Sequence, residues 1–71
     1  MATLKEKFSA ALVTRGERLV KQTFRYDVYT RSAGGFYYVG RSGSLRFGRT
    51  VAGSVPCSDE FKSYLINPAG R

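Results

Sequence analysis

The chain has 71 residues, enough for a single small domain spanning residues 1–71 with a modest core. Twelve Lys and Arg against five Asp and Glu give a net charge of +7, and the sequence holds no histidine and one cysteine. This composition excludes an intramolecular disulfide and a structural zinc site, and it removes the commonest general base. We therefore expect no enzymatic activity, no metal and no cofactor.

The first segment with helical periodicity covers residues 4–14. Thr3 and Glu6 stand at the spacing of a capping box, and Gly16 follows as a C-terminal stop. The apolar stripe consists of Leu4, Phe8, Ala11 and Leu12. The apolar run at residues 8–13 is too short to span a membrane, so we expect no membrane partner.

From residue 18 to residue 31 the period changes to two, which predicts a first strand. Its apolar positions are Val20, Phe24, Tyr26 and Val28, with Gln22 as the exception. Residues 36–39 and 45–51 predict a second and a third strand. A loop of about five residues, 31–35, joins the first two strands, and a tight turn centred on Ser42 and Gly43 joins the last two.

The turn chemistry predicts a register. A two-residue turn pairs Gly40 with Leu45 and Tyr38 with Phe47. The predicted core face then consists of Phe24, Tyr26, Val28, Phe36, Tyr38, Leu45 and Phe47. The opposite face consists of Lys21, Thr23, Arg25, Tyr37, Val39, Arg41, Arg46 and Thr50.

A second helix is predicted near the end of the chain. Ser58 is its N-cap, Asp59 and Glu60 lie in its first turn, and Asn67-Pro68 ends it. The predicted fold class is α+β: an N-terminal helix, a three-stranded antiparallel β-meander and a short C-terminal helix. The sequence leaves open which face of the sheet the helices cover.

The excess positive charge lies in the predicted sheet. Residues 15–49 carry eight cations and two carboxylates, whereas the flanking segments are almost neutral. In the predicted register Tyr37 lies opposite Gly48, which leaves its ring uncovered among cations. Such a face is typical of proteins that bind single-stranded nucleic acid, because phosphates meet the cations while a base stacks on the ring. The predicted binding residues are Lys21, Arg25, Arg31, Tyr37, Arg41, Arg46 and Arg49.

Two alternatives stay open. The charged face is also what the solvated side of an antiparallel sheet looks like. A second functional hypothesis is a protein-interaction component that docks an acidic protein or a capsid protein. Open strand edges would in either case allow a homo-oligomer.

The segment from Tyr37 to Asn67 has a run of aromatic residues, then V-G-R-S-G-S-L-R-F-G-R-T, a Ser/Val stretch and a short D-E-F-K helix. It resembles small basic proteins encoded by single-stranded-DNA bacteriophages of the microvirus type, some of which accompany the genome inside the capsid. The resemblance implies single-stranded DNA as the favoured partner or a capsid-associated role. The single cysteine and the short apolar run predict a reducing intracellular compartment or a particle assembled there, which for such a protein is the host cytoplasm or a virion. The packaging peptides of these phages are shorter and more densely basic, so a folded accessory protein is the better match.

Overall fold

A computed structural model describes residues 3–67. Two helices, α1 (Leu4–Thr14) and α2 (Asp59–Ile66), flank one antiparallel sheet in the order β1-β2-β3-β4-β5. The strands are β1 (Leu19–Gln22), β2 (Tyr26–Thr30), β3 (Phe36–Gly40), β4 (Leu45–Gly48) and β5 (Val55–Pro56). The α+β class with a helix on each side of the sheet in sequence is confirmed. The sheet has five strands and not the predicted three.

Helix α1 forms where the sequence predicts it. The Thr3 hydroxyl accepts a hydrogen bond from the Glu6 amide at 3.2 Å, and the Glu6 carboxylate accepts one from the Thr3 amide at 2.8 Å. This is the predicted capping box. Gly16 follows the helix with φ of +97°, a left-handed conformation that glycine adopts without a Cβ penalty. The two ends of α1 are therefore set by local chemistry.

The predicted first strand, residues 18–31, is two strands joined by a hairpin. The Thr23 amide donates to the Tyr26 carbonyl at 2.8 Å, and the Tyr26 amide donates to the Thr23 hydroxyl at 3.1 Å. Phe24 and Arg25 form the tip of this turn. The prediction of one strand was wrong because a threonine side chain closes the turn without glycine or proline. Gln22, the one break in the alternation, lies next to the turn.

The other hairpins decide which side chains share a face. Thr30 pairs with Phe36, so the five-residue loop 31–35 is confirmed. The second loop has three residues and not two, because the Gly40 amide donates to the Ser44 carbonyl at 2.9 Å. Gly43 takes the left-handed position of this loop with φ of +94°.

The extra loop residue shifts the predicted register of β3 against β4 by one. Tyr37 pairs with Phe47, Tyr38 with Arg46 and Val39 with Leu45. A slip of one residue moves side chains to the other face. Tyr37 and Val39 therefore share a face with Leu45 and Phe47, and the predicted grouping of Tyr38 with Leu45 was wrong.

The predicted third strand, residues 45–51, ends early. β4 stops at Gly48, residues 49–54 form a loop, and the chain returns as the two-residue strand β5. The Arg46 guanidinium holds this loop by donating to the Ser54 hydroxyl at 2.9 Å and to the Ser54 carbonyl at 2.7 Å. A Cβ added to Gly48 would lie 2.8 Å from the Cα of Ser54, so the close return requires glycine there.

Helix α2 begins as predicted at the Ser58 cap, whose hydroxyl accepts from the Phe61 amide at 3.1 Å. Asn67 caps the other end, and Pro68, predicted to end the helix, lies outside the described residues. Neither helix within residues 3–67 is long and apolar enough to cross a membrane.

Both helices pack on the same side of the sheet, and one core joins them to it. Its buried members are Phe8, Leu12, Tyr29, Val39, Leu45, Cys57 and Leu65. Tyr29, Val39 and Leu45 come from the sheet face that carries Tyr37 and Phe47. The opposite side of the sheet, with Lys21, Val28, Tyr38 and Arg46, carries no helix among the described residues.

Glu17 is a buried carboxylate that ties the start of β1 to the loop after β2. It accepts hydrogen bonds from the Thr30 hydroxyl at 2.7 Å, the Ser32 hydroxyl at 3.0 Å and the Ser32 amide at 3.1 Å. The hydrogen bond from Thr30 is the largest cause that lowers the pKa of Glu17. A carboxylate with a lowered folded-state pKa stabilises the protein fully above the unfolded pKa of about 4.3, and this stabilisation disappears as the pH falls through the folded pKa.

Glu17→Gln should lower the free energy of unfolding by about 1–3 kcal/mol at neutral pH, because one carboxylate oxygen becomes an NH2 group that can no longer accept the hydrogen bond it received. The difference between variant and wild type should shrink as the pH falls below the ordinary carboxyl pKa. Urea unfolding at neutral and acidic pH measures both quantities. A constant difference at every pH would contradict the assigned role of the charge.

Candidate nucleic-acid interface

Two adjoining grooves cover the side of the sheet away from the helices, and we call this side the open face. One groove has a volume of about 400 Å³ and the other about 440 Å³. Tyr26, Tyr38 and Val51 line both. The open face is thus one continuous surface with Tyr26 and Tyr38 at its centre.

Five cations line the open face: Lys21, Arg25, Arg41, Arg46 and Arg49. Among residues 3–67 no carboxylate lines either groove. The helices differ, since α1 and α2 together hold three lysines and three carboxylates. Most of the net charge of residues 3–67 therefore lies on one side of the sheet, where it attracts anions.

Two of these arginines are held in place by the protein itself. Arg46 is fixed through Ser54, as described above. The Arg41 Nε donates to the Phe24 carbonyl, and the Arg41 guanidinium carbon lies 5.6 Å from the centroid of the Phe24 ring. Ordered cations lose little side-chain entropy when they bind an anion, which favours binding.

The aromatic rings of the open face differ in exposure. Phe24, at the tip of the β1–β2 turn, is 84% exposed, and Phe36, at the start of β3, is 37% exposed. Tyr26 meets Tyr38 edge to face, with ring centroids 5.6 Å apart. The Tyr38 hydroxyl donates to the Gly48 carbonyl at 3.2 Å, and burial raises the pKa of Tyr38. Phe24 and Phe36 are therefore the rings available for stacking, while Tyr38 supports the floor of the face.

The structure places five of the seven predicted binding residues on the open face and the other two elsewhere. Lys21, Arg25, Arg41, Arg46 and Arg49 lie on the open face. Tyr37 and Arg31 do not. The ring of Tyr37 lies on the helix side and stacks against Phe61 of α2, with centroids 6.0 Å apart and planes 14° apart.

Arg31 accompanies Tyr37 on the helix side, where its guanidinium carbon lies 5.7 Å from the Tyr37 centroid. The prediction of Tyr37 as an uncovered stacking platform was wrong because it depended on the two-residue turn. Phe24, predicted to lie in the core, is the most exposed aromatic ring among the described residues. The three-residue loop with a glycine at its last position is the sequence signal that would have placed Tyr37 correctly.

The remaining residues that could take part in catalysis or metal binding lie apart from one another. Asp27 binds Lys5 at 2.7 Å on the helix side, whereas Glu17 binds Thr30 and Ser32. Cys57 is buried, and this burial raises the pKa of its thiol. Within residues 3–67 no three potential metal ligands of the His, Cys, Asp or Glu type come together.

Comparison of the chain with protein-family models, with curated proteins and with solved structures found no match. The candidate interface is thus defined by its own geometry: a helix-free sheet face, five cations and two exposed rings.

Proposed function

We propose that this protein is a non-enzymatic nucleic-acid-binding protein that holds single-stranded nucleic acid, with single-stranded DNA favoured, on its open face. The observation that carries the proposal is the concentration of five cations and no carboxylate, among the described residues, on the helix-free side of the sheet. The side chains of Lys21, Arg25, Arg41, Arg46 and Arg49 bind backbone phosphates. Phosphate contacts of this kind bind without sequence preference.

The preference for a single strand follows from the aromatic rings. Phe24 and Phe36 are exposed, and a base must be unpaired before it stacks on a protein ring. Base stacking on an aromatic side chain contributes about 1–3 kcal/mol and tolerates any base. We expect tight binding to flexible, unpaired strands and weaker binding to a duplex of the same length.

The proposed origin follows from the resemblance of residues 37–67 to the small basic proteins of single-stranded-DNA bacteriophages. On this proposal the protein is a phage-encoded or mobile-element-encoded accessory protein that acts in the host cytoplasm or within the virion. Its ligand is then the phage genome or an intermediate of genome replication.

Salt dependence tests the proposed function. Five phosphate contacts on a single strand predict that the logarithm of the association constant falls with a slope of about −3.5 against the logarithm of salt concentration. Affinity for a fluorescent oligothymidylate should then fall about a hundredfold between about 50 and 200 mM salt. Fluorescence anisotropy gives both values. Absence of binding at low salt, or binding that ignores salt, would refute the proposal.

A further inference from the structure

A third groove, of about 410 Å³, lies on the helix side of the sheet, between β4, β5 and the start of α2. We call it the Arg31 groove. Its walls include Tyr37, Phe47, Pro56, Cys57 and Phe61. Since the open face lies on the other side of the sheet, the Arg31 groove is a separate surface that the proposed function does not use.

Arg31 is the cation of this groove, and it is poised over aromatic rings. Its guanidinium carbon lies 4.5 Å from the centroid of Phe47 and 5.7 Å from that of Tyr37. One terminal nitrogen donates to the Gly34 carbonyl at 2.8 Å. The stacking holds the guanidinium plane in one position at the groove wall.

The charge of Arg31 has no acidic partner among residues 3–67. The ion pairs of this part of the chain join Lys5 to Asp27 and Lys62 to Asp59. The Arg31 Nε is buried and has no hydrogen-bond acceptor within the same residues. The terminal nitrogen that does not bind Gly34 makes no hydrogen bond within the same residues and is not buried, so it is the donor that an incoming carboxylate can reach.

We propose that the Arg31 groove binds an acidic segment of a partner protein that presents an aromatic or aliphatic side chain next to a carboxylate. The apolar walls take the side chain, and the guanidinium fork takes the carboxylate. A nucleic-acid strand fits less well, because a single arginine over apolar walls offers no track of cations for successive phosphates. Val55 at the rim is 49% exposed, so the groove is open for an extended peptide to cross.

With this surface the protein would bridge a nucleic acid on one side and an acidic protein on the other. The two surfaces lie on opposite sides of the sheet, so both ligands fit at once. The second site does not depend on the first, because it shares no lining residue with the open face.

The test is an NMR titration of the full chain with a blocked five-residue peptide that has one phenylalanine between pairs of aspartates. A peptide with asparagine at each aspartate position is the control. The aspartate peptide should shift the amide signals of Val55, Cys57 and Ser58 and the Nε–H signal of Arg31. The asparagine peptide should bind about tenfold more weakly or not at all.

Variants at Arg31 test whether peptide binding requires the guanidinium group or only a positive charge. Arg31→Gln should weaken the aspartate peptide about tenfold or more, and Arg31→Lys should restore only part of the affinity because lysine lacks the planar fork. Arg18→Gln removes the same charge at an exposed position outside the groove and should leave the affinity within about twofold.

Three outcomes would overturn the proposal: equal shifts with both peptides, shifts confined to the open face, or displacement of the peptide from these signals by an oligothymidylate. Because the two peptides are compared on the wild-type protein, that comparison tests the proposal even if Arg31→Gln fails to fold. Loss of oligonucleotide binding alone would leave this proposal standing, and loss of peptide binding alone would leave the proposed function standing.

Discussion

Replacing Lys21, Arg25 and Arg49 together with glutamine should lower the affinity for single-stranded DNA by roughly two to three orders of magnitude at about 50 mM salt. All three side chains line the open face and are exposed. None makes a side-chain hydrogen bond or ion pair within residues 3–67, so the fold should survive the change. With two cations left, the salt slope should fall from about −3.5 to about −1.4.

The matched control removes one lysine and two arginines elsewhere. Lys7, Arg15 and Arg18 are exposed and line neither groove of the open face. Their replacement by glutamine gives the same net charge, so it tests location and not total charge. We expect a loss of less than about tenfold and a nearly unchanged slope, because these side chains lie outside both grooves and salt screens the attraction between exposed charges that are not in contact. Equal losses in the two triple variants would mean that DNA binding has no preferred face.

Phe24→Ala should weaken single-strand binding by roughly 5- to 150-fold, which corresponds to the loss of one stacked base. The salt slope should stay the same, because no charge is removed. Phe24 is 84% exposed, so the free energy of unfolding should change little. Anisotropy titrations and urea unfolding measure the two effects separately.

Tyr64 provides a matched control for Phe24. It is an exposed ring on α2 with the Arg15 guanidinium carbon 5.1 Å from its centroid, much as Arg41 lies 5.6 Å from that of Phe24. Tyr64→Ala should leave DNA affinity unchanged. If Phe24→Ala also leaves the DNA affinity unchanged, the ring does not stack on a base and the open face binds phosphate alone.

The helices could be predicted because their signals are local. The capping box at Thr3, the left-handed Gly16 and the Ser58 cap each depend on a few neighbouring residues. The five-residue loop 31–35 could also be predicted, since only an odd loop keeps the apolar positions of β2 and β3 on matching faces. Local chemistry thus determines where these elements begin and end.

The sheet could be predicted only in part, because the register of β4 against β3 depends on a single loop. Gly43 fits a two-residue turn and also a three-residue loop, and the two differ by one residue in register. In addition, the side chain of Thr23 closes a hairpin that lacks the usual turn residues. These two features explain the extra hairpin and the exchange of Tyr37 and Phe24 between the faces, whereas the fifth strand comes from the return of the chain after the 49–54 loop.

The cations of the candidate site stay together although the register changed. Arg25 and Arg41 lie in turns, and both hairpin tips open toward the same groove. Lys21 and Arg46 were predicted to lie on the face opposite to that of Val28 and Tyr38. They share a face with them instead, because an irregularity in β1 and the register shift of β4 move both cations to that side. The aromatic part depended on register and changed. Phe24 and Phe36 replace Tyr37 as the rings of the proposed interface.

The most direct test of the proposed function is to locate the bound strand on the protein. An isotope-labelled sample titrated with an oligothymidylate at low salt should show shifted amide signals for Lys21, Phe24, Tyr26, Tyr38 and Arg46, with Ala10, Ser63 and other helix residues unmoved. Shifts centred on α1 and α2, or no shifts at low salt, would contradict the assignment of the open face as the nucleic-acid-binding surface.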